Sequence, residues 1–265
     1  MLWRYIPYET KDPYWNMAID EAILIAHREN RVPPTLRFYG WSPATLSIGY
    51  FQRSYRQIDH DNIKKCNLGF VRRITGGRAV FHDRELTYSV ILSEKNELVS
   101  SSVQETYRKL NQAFTAGLEN LKLSLTTETP NYLENNTSAA CFDAPGSGEF
   151  LIEGRKAIGS AQTRQQGVLL QHGSILLDFD WETFDKIFLF PNEESKAQLK
   201  SRMGTLSQLL KRDVNLDETI RAIYYGFEEG LGITFQKDNL TAYEYDLAKK
   251  LVAEKYRTEA WNFKR

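Results

Sequence analysis

Cysteine, net charge and long apolar runs are all scarce in this 265-residue sequence. Its two cysteines, Cys66 and Cys141, cannot build the disulfide framework of a small secreted domain. The 34 Lys and Arg residues balance 34 Asp and Glu residues, so bulk positive charge does not indicate nucleic-acid binding. No apolar run approaches the roughly 18 residues of a membrane span, and the first residues lack the apolar core of a secretory signal. We therefore expect a soluble cytoplasmic protein without nucleic-acid or membrane partners.

The hydrophobic pattern mixes strands and helices in the first two thirds of the chain and favours helices after Asp180. Apolar side chains recur at helical spacing over 14–28, and turn residues at Gln166-Gly167 join two strand patterns as in an antiparallel meander. Strands are predicted at 35–40, 45–50, 69–73, 78–81, 86–92, 149–153, 156–164 and 167–177. We predict an α+β fold, a mixed, largely antiparallel sheet flanked by helices. One domain would span 1–265, with a helical C-terminal region from about 181.

Four sequence pairs have the spacing of a helix capping box, a Ser, Thr or Asn followed three residues later by Glu or Gln. They are Ser54/Gln57, Ser102/Glu105, Asn215/Glu218 and Thr241/Glu244. The first pair predicts a helix over 55–66, and the second precedes an apolar stripe at helical spacing.

A polar segment with two adjacent glycines, RRITGGRAVFHD, runs from Arg72 to Asp83. Gly76-Gly77 lets the backbone turn and approach a ligand, although a plain hairpin turn has the same signature. Neither a Walker loop nor GxGxxG is present, so the sequence does not indicate nucleotide binding. The flanking arginines and His82 make the segment more polar than a simple turn requires.

Cys141 lies in a stretch of small and turn-forming residues that is typical of a loop, where functional residues concentrate. A buried, inert cysteine is the alternative, and that is how we interpret Cys66. Four scattered histidines and two distant cysteines show no spacing typical of metal ligands.

Lys156 begins a predicted strand in which Gly159, Ser160 and Ala161 leave room for a ligand chain. A solvated lysine is the alternative at such a position. His172, inside the following apolar strand, is interpreted as a hydrogen-bonded structural histidine.

Basic residues are concentrated between 53 and 84. Eight of them, against Asp59, Asp61 and Asp83, leave a local charge of +5: Arg53, Arg56, Lys64, Lys65, Arg72, Arg73, Arg78 and Arg84. Such a cluster is either a solvated face or a docking surface for an acidic partner.

Taken in order, these motifs resemble the lipoate–biotin protein ligase/transferase superfamily, and most closely its LipM-type octanoyltransferase branch. The residues that carry the resemblance are NMAIDEAIL, LRFYGWSPATLSIGYFQ, RRITGGRAVFHD, CFDAP and EGRKAIGSAQTRQQGVLLQHGSI, which cover roughly residues 1–180. The resemblance implies the lipoate/biotin protein ligase type of catalytic domain.

It also implies an enzyme that needs no cofactor and moves an octanoyl group from octanoyl-acyl carrier protein to a lysine of the glycine cleavage H protein, in endogenous lipoate synthesis. Cys141 would carry the acyl group as a thioester, and Lys156 would favour its thiolate. The substrate-binding residues would be Arg72, Arg73, Thr75, Gly76, Gly77, His82, Gly159, Ser160 and Ala161. We expect a monomer.

Three alternatives remain. A sister branch moves octanoyl from the H protein to lipoyl domains by cysteine chemistry, and lipoate–protein ligases use ATP. The ligases generally have a third glycine where Arg78 stands and asparagine where Cys141 stands, which counts against that function. A non-catalytic module that binds acyl carrier protein is the third alternative.

Overall fold

Two sheets organise the fold in a computed structural model that describes residues 1–123, 151–152 and 154–264. The strands are β1 (Leu2–Lys11), β2 (Thr35–Trp41), β3 (Thr45–Ile48), β4 (Gly69–Arg72), β5 (Val80–His82), β6 (Glu85–Ser93), β7 (Ile158–Gln165), β8 (Val168–Leu176) and β9 (Thr234–Lys237). The large sheet has the order β7-β8-β6-β2-β1-β9, and the small sheet β4-β3-β5. In the large sheet β1 pairs in parallel with β2 and β9, while the other three pairings are antiparallel. This confirms the predicted α+β class.

The helices are α1 (Pro13–Arg28), α2 (His60–Lys65), α3 (Val103–Asn120), α4 (Trp181–Ile187), α5 (Glu193–Arg202), α6 (Leu206–Leu210), α7 (Leu216–Leu231), α8 (Ala242–Leu251) and α9 (Glu259–Asn262), with a π-helical turn at Val252–Tyr256. Ser102 caps α3 through Glu105, and Thr241 and Glu244 form a complete capping box at α8. None of the helices in the described ranges is long and apolar enough to cross a membrane.

The predicted helix start at Ser54 is wrong. Gln57 has φ +62°, a left-handed conformation that a helix cannot include. The helix α2 begins instead after Asp59, whose carboxylate accepts the backbone N–H of Asn62 at 2.9 Å. The loop from Gly49 to Asp59 is therefore longer than the sequence pattern predicted.

The two faces of the large sheet pack against different helices because successive side chains of a strand point to opposite sides. Leu86, Tyr88 and Val90 of β6 pack with α3 and α7, and Ile91 packs on the other side with α1 and α8. Helices do follow Asp180, but β9 lies among them and joins the large sheet beside β1. Neither β1 nor β9 was predicted from the sequence.

Candidate active site

A narrow cavity, partly open to solvent, lies between the two sheets. It is lined by Met17, Tyr39, Trp41, Ser47, Arg73, Val80, His82, Thr87, Gly159, Ser160, Ala161, His172, Gly173 and Ser174. The two regions that sequence analysis singled out, near 72–83 and 159–161, therefore meet at one place.

Small residues on β7 and β8 leave the space for this cavity. Gly159 lies opposite Ser174, and Ala161 lies opposite His172, in the antiparallel register. A Cβ at Gly173 would lie only 2.4 Å from the carbonyl oxygen of Gly159, so a larger residue there would force the strands apart.

The predicted glycine turn lies beside the cavity, close to Ala161 of its wall. Gly77 has φ +89°, which favours glycine, and a Cβ on it would lie 3.8 Å from the Cβ of Ala161. The Gly77 carbonyl packs so closely on Gly49 that a Cβ at Gly49 would lie 2.0 Å from its oxygen. The turn is thus wedged between the loop after β3 and the strand β7.

Arg73 holds this turn against the small sheet. Its Nη2 donates to the carbonyls of Gly76 at 2.9 Å and Arg78 at 2.6 Å. Its Nε donates to Thr75 Oγ1 at 3.1 Å, and its Nη1 donates to Ser47 Oγ at 3.0 Å and to the Ser47 carbonyl at 3.3 Å. Although Arg73 lines the cavity, its guanidinium is engaged with protein atoms.

His172 is buried at the cavity wall between a hydroxyl and a carboxylate. Its Nε2 lies 2.7 Å from Thr75 Oγ1, and its Nδ1 lies 3.2 Å from Asp20 Oδ2. Burial lowers the pKa of His172, although the negative charge of Asp20 acts in the opposite direction. These contacts confirm that His172 is hydrogen-bonded, as predicted, while its interpretation as a structural histidine stays a prediction.

Asp20, on α1, accepts hydrogen bonds from side chains of β2 and β6, in addition to its contact with His172 on β8. It accepts from Arg37 Nη1 at 2.7 Å, from the Tyr39 hydroxyl at 2.9 Å and from Ser89 Oγ at 2.9 Å. Burial alone would raise the pKa of Asp20, but the hydrogen bond with His172 and the charge of Arg37 hold it below its usual value. The same burial, with the charge of Asp20, raises the pKa of Tyr39 well above its usual value.

A second histidine–carboxylate pair, His82 and Glu85, lies on the other side of the cavity. His82 Nδ1 is 2.7 Å from Glu85 Oε1, and its Nε2 is 2.7 Å from Ser47 Oγ. The imidazole stacks on Trp41, with ring centroids 4.2 Å apart. Within the described ranges, no cluster of three or more His, Cys, Asp and Glu side chains is arranged to hold a metal.

Arg72 was predicted to bind substrate, but it is not among the residues that line the cavity. Its guanidinium donates to backbone carbonyls, reaching those of Gly49, Tyr50 and Gln52 through Nη1 at 2.7–3.1 Å. It also bonds the carbonyls of Trp261 and Asn262. The side chain fastens the C-terminal helix α9 to the loop after β3. Thr75, Gly76 and Gly77, also predicted to bind substrate, are not among the lining residues either. Thr75 and Gly76 contact Arg73 instead.

Of the two predicted catalytic residues, only Lys156 lies within the described part of the chain. Lys156 is only 1% exposed, so the alternative of a solvated lysine is wrong. Its backbone N–H donates to the Arg202 carbonyl at 2.8 Å. Lys156 lies three residues before Gly159, which lines the cavity. Cys141 lies outside the described residues, and so does the rest of CFDAP.

The basic segment of the sequence is divided by the fold. Arg72 and Arg73 are buried, Arg78 is partly buried, and Arg84 pairs with Asp178 at 2.7 Å. Four exposed cations remain in the loop after β3 and in α2, and none of them forms an ion pair within the described part of the chain: Arg53, Arg56, Lys64 and Lys65. We call these four residues the basic patch.

Sequence analysis missed Asp20, Glu85 and the aromatic residues Tyr39 and Trp41. Asp20 carried a usable signal, because a carboxylate inside the apolar stripe of α1 must be paired when buried. The other three occupy strands whose buried face is recognisable only from the pairing of β2 with β6.

Comparison with known proteins agrees with this architecture. The lipoyl protein ligase A/B catalytic domain family matches residues 12–228. The octanoyltransferase LipM of Geobacillus kaustophilus (strain HTA426) is 47% identical over 274 residues, which cover 100% of this chain and 99% of that protein. The octanoyltransferase LipM of Bacillus subtilis (strain 168) is 44% identical over 273 residues, covering 99% of this chain and 98% of that protein.

Two solved structures share the fold over the whole chain. Protein Ta0514 of T. acidophilum, solved with bound lipoic acid, is 28% identical with a TM-score of 0.81, covering 99% of this chain and 100% of that one. A lipoate-protein ligase A bound with ATP is 29% identical with a TM-score of 0.82, covering 99% of each chain. We conclude that the chain belongs to the lipoyl protein ligase A/B catalytic domain family and is a LipM-type acyltransferase of the lipoate–biotin ligase superfamily.

Proposed function

We propose that the protein transfers an octanoyl group from octanoyl-acyl carrier protein to a lysine of the glycine cleavage H protein, with Cys141 as the intermediate carrier. The observation that carries the proposal is that Arg73 and His82, from the segment RRITGGRAVFHD, line one cavity together with Gly159, Ser160 and Ala161. Full-length relatives named octanoyltransferase LipM support the acyl group, and the lipoic acid bound to Ta0514 shows that a related fold accepts an acyl chain.

The reaction would proceed in two balanced steps. The Cys141 thiolate attacks the carbonyl carbon of the donor thioester, a new C–S bond forms, and the carrier's sulfur leaves and takes up a proton. The neutral amine of the acceptor lysine then attacks the same carbon, the bond to Cys141 breaks, and the amine loses a proton. Because a thioester is converted into an amide, the transfer needs no ATP.

Lys156 would supply the charge that ionises the thiol. An ordinary thiol with a pKa of about 8.5 is mostly protonated at neutral pH. Lowering such a pKa by two units requires roughly 2.7 kcal/mol, and an ammonium about 4 Å away supplies up to about 4 kcal/mol at an effective dielectric constant near 20. Burial of Lys156 supports this role, since a buried ammonium is favourable only where its charge is compensated.

Intact-mass analysis with octanoyl-acyl carrier protein and no nucleotide tests the proposal. The protein should gain one octanoyl group that hydroxylamine removes and that maps to Cys141. The matched variants are Cys141→Ala, which should gain nothing, and Cys66→Ala, which should react normally because Cys66 only ends α2. An adduct that persists in Cys141→Ala, or none in the unmodified protein, refutes the mechanism.

The choice of donor distinguishes the neighbouring activities. Acylation by the octanoylated H protein alone would identify the amidotransferase reaction. A requirement for ATP, Mg²⁺ and free lipoate that survives Cys141→Ala would identify a ligase. Stoichiometric binding of octanoyl-acyl carrier protein without transfer would identify a non-catalytic module.

A further inference from the structure

Seven side chains form one continuous hydrogen-bonded series around the cavity. In order they are Asp20, His172, Thr75, Arg73, Ser47, His82 and Glu85, and every link is between 2.7 and 3.2 Å. The series is symmetrical in its chemistry. It has a carboxylate at each end, a histidine and a hydroxyl on each side, and one guanidinium in the middle.

The hydrogen bonds at the centre of the series determine where the hydroxyl protons of Thr75 and Ser47 point. A guanidinium only donates, so Arg73 makes both Thr75 Oγ1 and Ser47 Oγ acceptors. Each hydroxyl keeps one proton of its own, and a histidine Nε2 lies 2.7 Å from it in both cases. The hydroxyl protons therefore point to His172 and His82.

The histidine–carboxylate contacts at the two ends of the series are consistent with this direction of the hydroxyl protons. A carboxylate only accepts, so the Nδ1 atoms that face Asp20 and Glu85 must carry the imidazole protons. The charge of Asp20 is already compensated by Arg37, so His172 need not be protonated to balance it. Each histidine is thus left with a proton on Nδ1 and an accepting Nε2.

We propose that Arg73 is a positioning residue that, through Thr75 and Ser47, keeps the Nε2 atoms of His172 and His82 as acceptors, while the carboxylates hold the imidazole proton on Nδ1. The same guanidinium shapes the cavity edge, because it also bonds the carbonyls of Gly76 and Arg78. With Nε2 occupied by a hydroxyl proton, neither histidine is available as the general base for acyl transfer. The role is separate from the donor, the acceptor and Cys141, so it holds for any acyl transfer in this cavity.

The tautomers can be read directly by NMR. Protein labelled with ¹⁵N in its four histidines gives a two-bond ¹H–¹⁵N spectrum that distinguishes Nδ1–H, Nε2–H and doubly protonated rings. At pH 7 we expect the Nδ1–H pattern for both His82 and His172. An Nε2–H or doubly protonated pattern for either ring overturns the proposal.

Substitutions at single positions of the series test whether each hydroxyl controls the histidine next to it. Thr75→Val should disturb the pattern of His172 and leave that of His82 intact, whereas Ser47→Ala should do the reverse. Arg73→Met releases both hydroxyls to accept from an Nε2–H. The titration midpoint of His172, which faces Asp20, Arg37, Arg73 and His82, should then rise by about 1 pH unit.

Arg84→Met is the matched control, because Arg84 is exposed and outside the series. It should leave both patterns and the midpoint of His172 unchanged. An Arg73→Met protein that folds and still gives the spectrum of the unmodified protein contradicts the positioning role. If Arg73→Met does not fold, the opposite responses of Thr75→Val and Ser47→Ala decide the question, and equal responses of both rings overturn the proposal.

Discussion

Arg72 and Arg73 are neighbours in the sequence, and their guanidinium groups bind different parts of the molecule. Arg73 bonds the glycine turn and Ser47 beside the cavity, whereas Arg72 bonds the loop after β3 and the C-terminal helix α9. A motif that contains both residues therefore combines a role at the cavity with a role in holding the chain together.

Replacing Arg72 should therefore reduce stability. Arg72→Ala leaves several buried carbonyls without a donor, and each bond to a charged group contributes about 1.5–3 kcal/mol. We expect the free energy of unfolding to fall by at least about 3 kcal/mol in a urea titration. Arg84→Ala, at an exposed position, should change it by no more than about 0.5 kcal/mol. A comparably small loss in Arg72→Ala would contradict the structural role.

Lys156 is buried, and it is also the residue that we propose stabilises the Cys141 thiolate. In Lys156→Ala the acyl transfer should be slower, and its pH–rate profile should move to higher pH because the thiolate loses its compensating charge. Lys156→Arg keeps the charge and should shift the profile less. The measurement is the rate of Cys141 acylation between pH 6 and 9. A profile that does not change in Lys156→Ala would leave Lys156 without this role.

Among the elements, the loop after β3 and the helix α2 connect the cavity to the surface. The backbone N–H of Tyr50 donates to the Thr75 carbonyl at 2.8 Å, which places the start of this loop beside the glycine turn. The basic patch follows within a few residues. It is smaller than the eight cations counted in the sequence, because Arg72 and Arg73 are internal, Arg78 is partly buried and Arg84 is paired.

If the basic patch docks an acidic carrier protein, reversing its charge should weaken transfer. For the triple variant Arg53→Glu, Arg56→Glu, Lys65→Glu we expect kcat/KM for octanoyl-acyl carrier protein to fall at least about tenfold at low salt, and its salt dependence to flatten. Arg221→Glu, an exposed position on α7, which packs with α3 against the large sheet, is the control and should behave normally. Transfer by the unmodified protein that is insensitive to salt would count against docking.

At the scale of the whole molecule, the first strand of the chain pairs with a strand of the C-terminal region in one sheet. β9 pairs with β1, and the Thr234 N–H donates to the Met1 carbonyl at 2.8 Å. Arg4 on β1 and Glu244 on α8 form a buried two-point ion pair. The helical region after 181 therefore completes the architecture that begins at residue 2.

These contacts predict that the protein unfolds as a single domain. Calorimetry should show one transition whose calorimetric and van't Hoff enthalpies agree. Glu244→Ala, which leaves Arg4 buried without its partner, should lower the midpoint of that transition as a whole rather than split it. Two separable transitions, or a protease-resistant fragment that ends near 180, would show that the C-terminal region folds independently.

The sequence by itself determined the features that depend on near neighbours along the chain. The helix caps at Ser102 and Thr241 and the turn at Gln166-Gly167 involve residues a few positions apart, so their spacing was sufficient to predict them. The ordered motifs also identified the family. Only the tertiary structure decided which polar groups meet, because Asp20 and His172 are 152 positions apart and no local pattern predicts their contact. The strands β1 and β9, the burial of Arg72 and the series centred on Arg73 depend in the same way on how the strands pair and which face of each strand is covered.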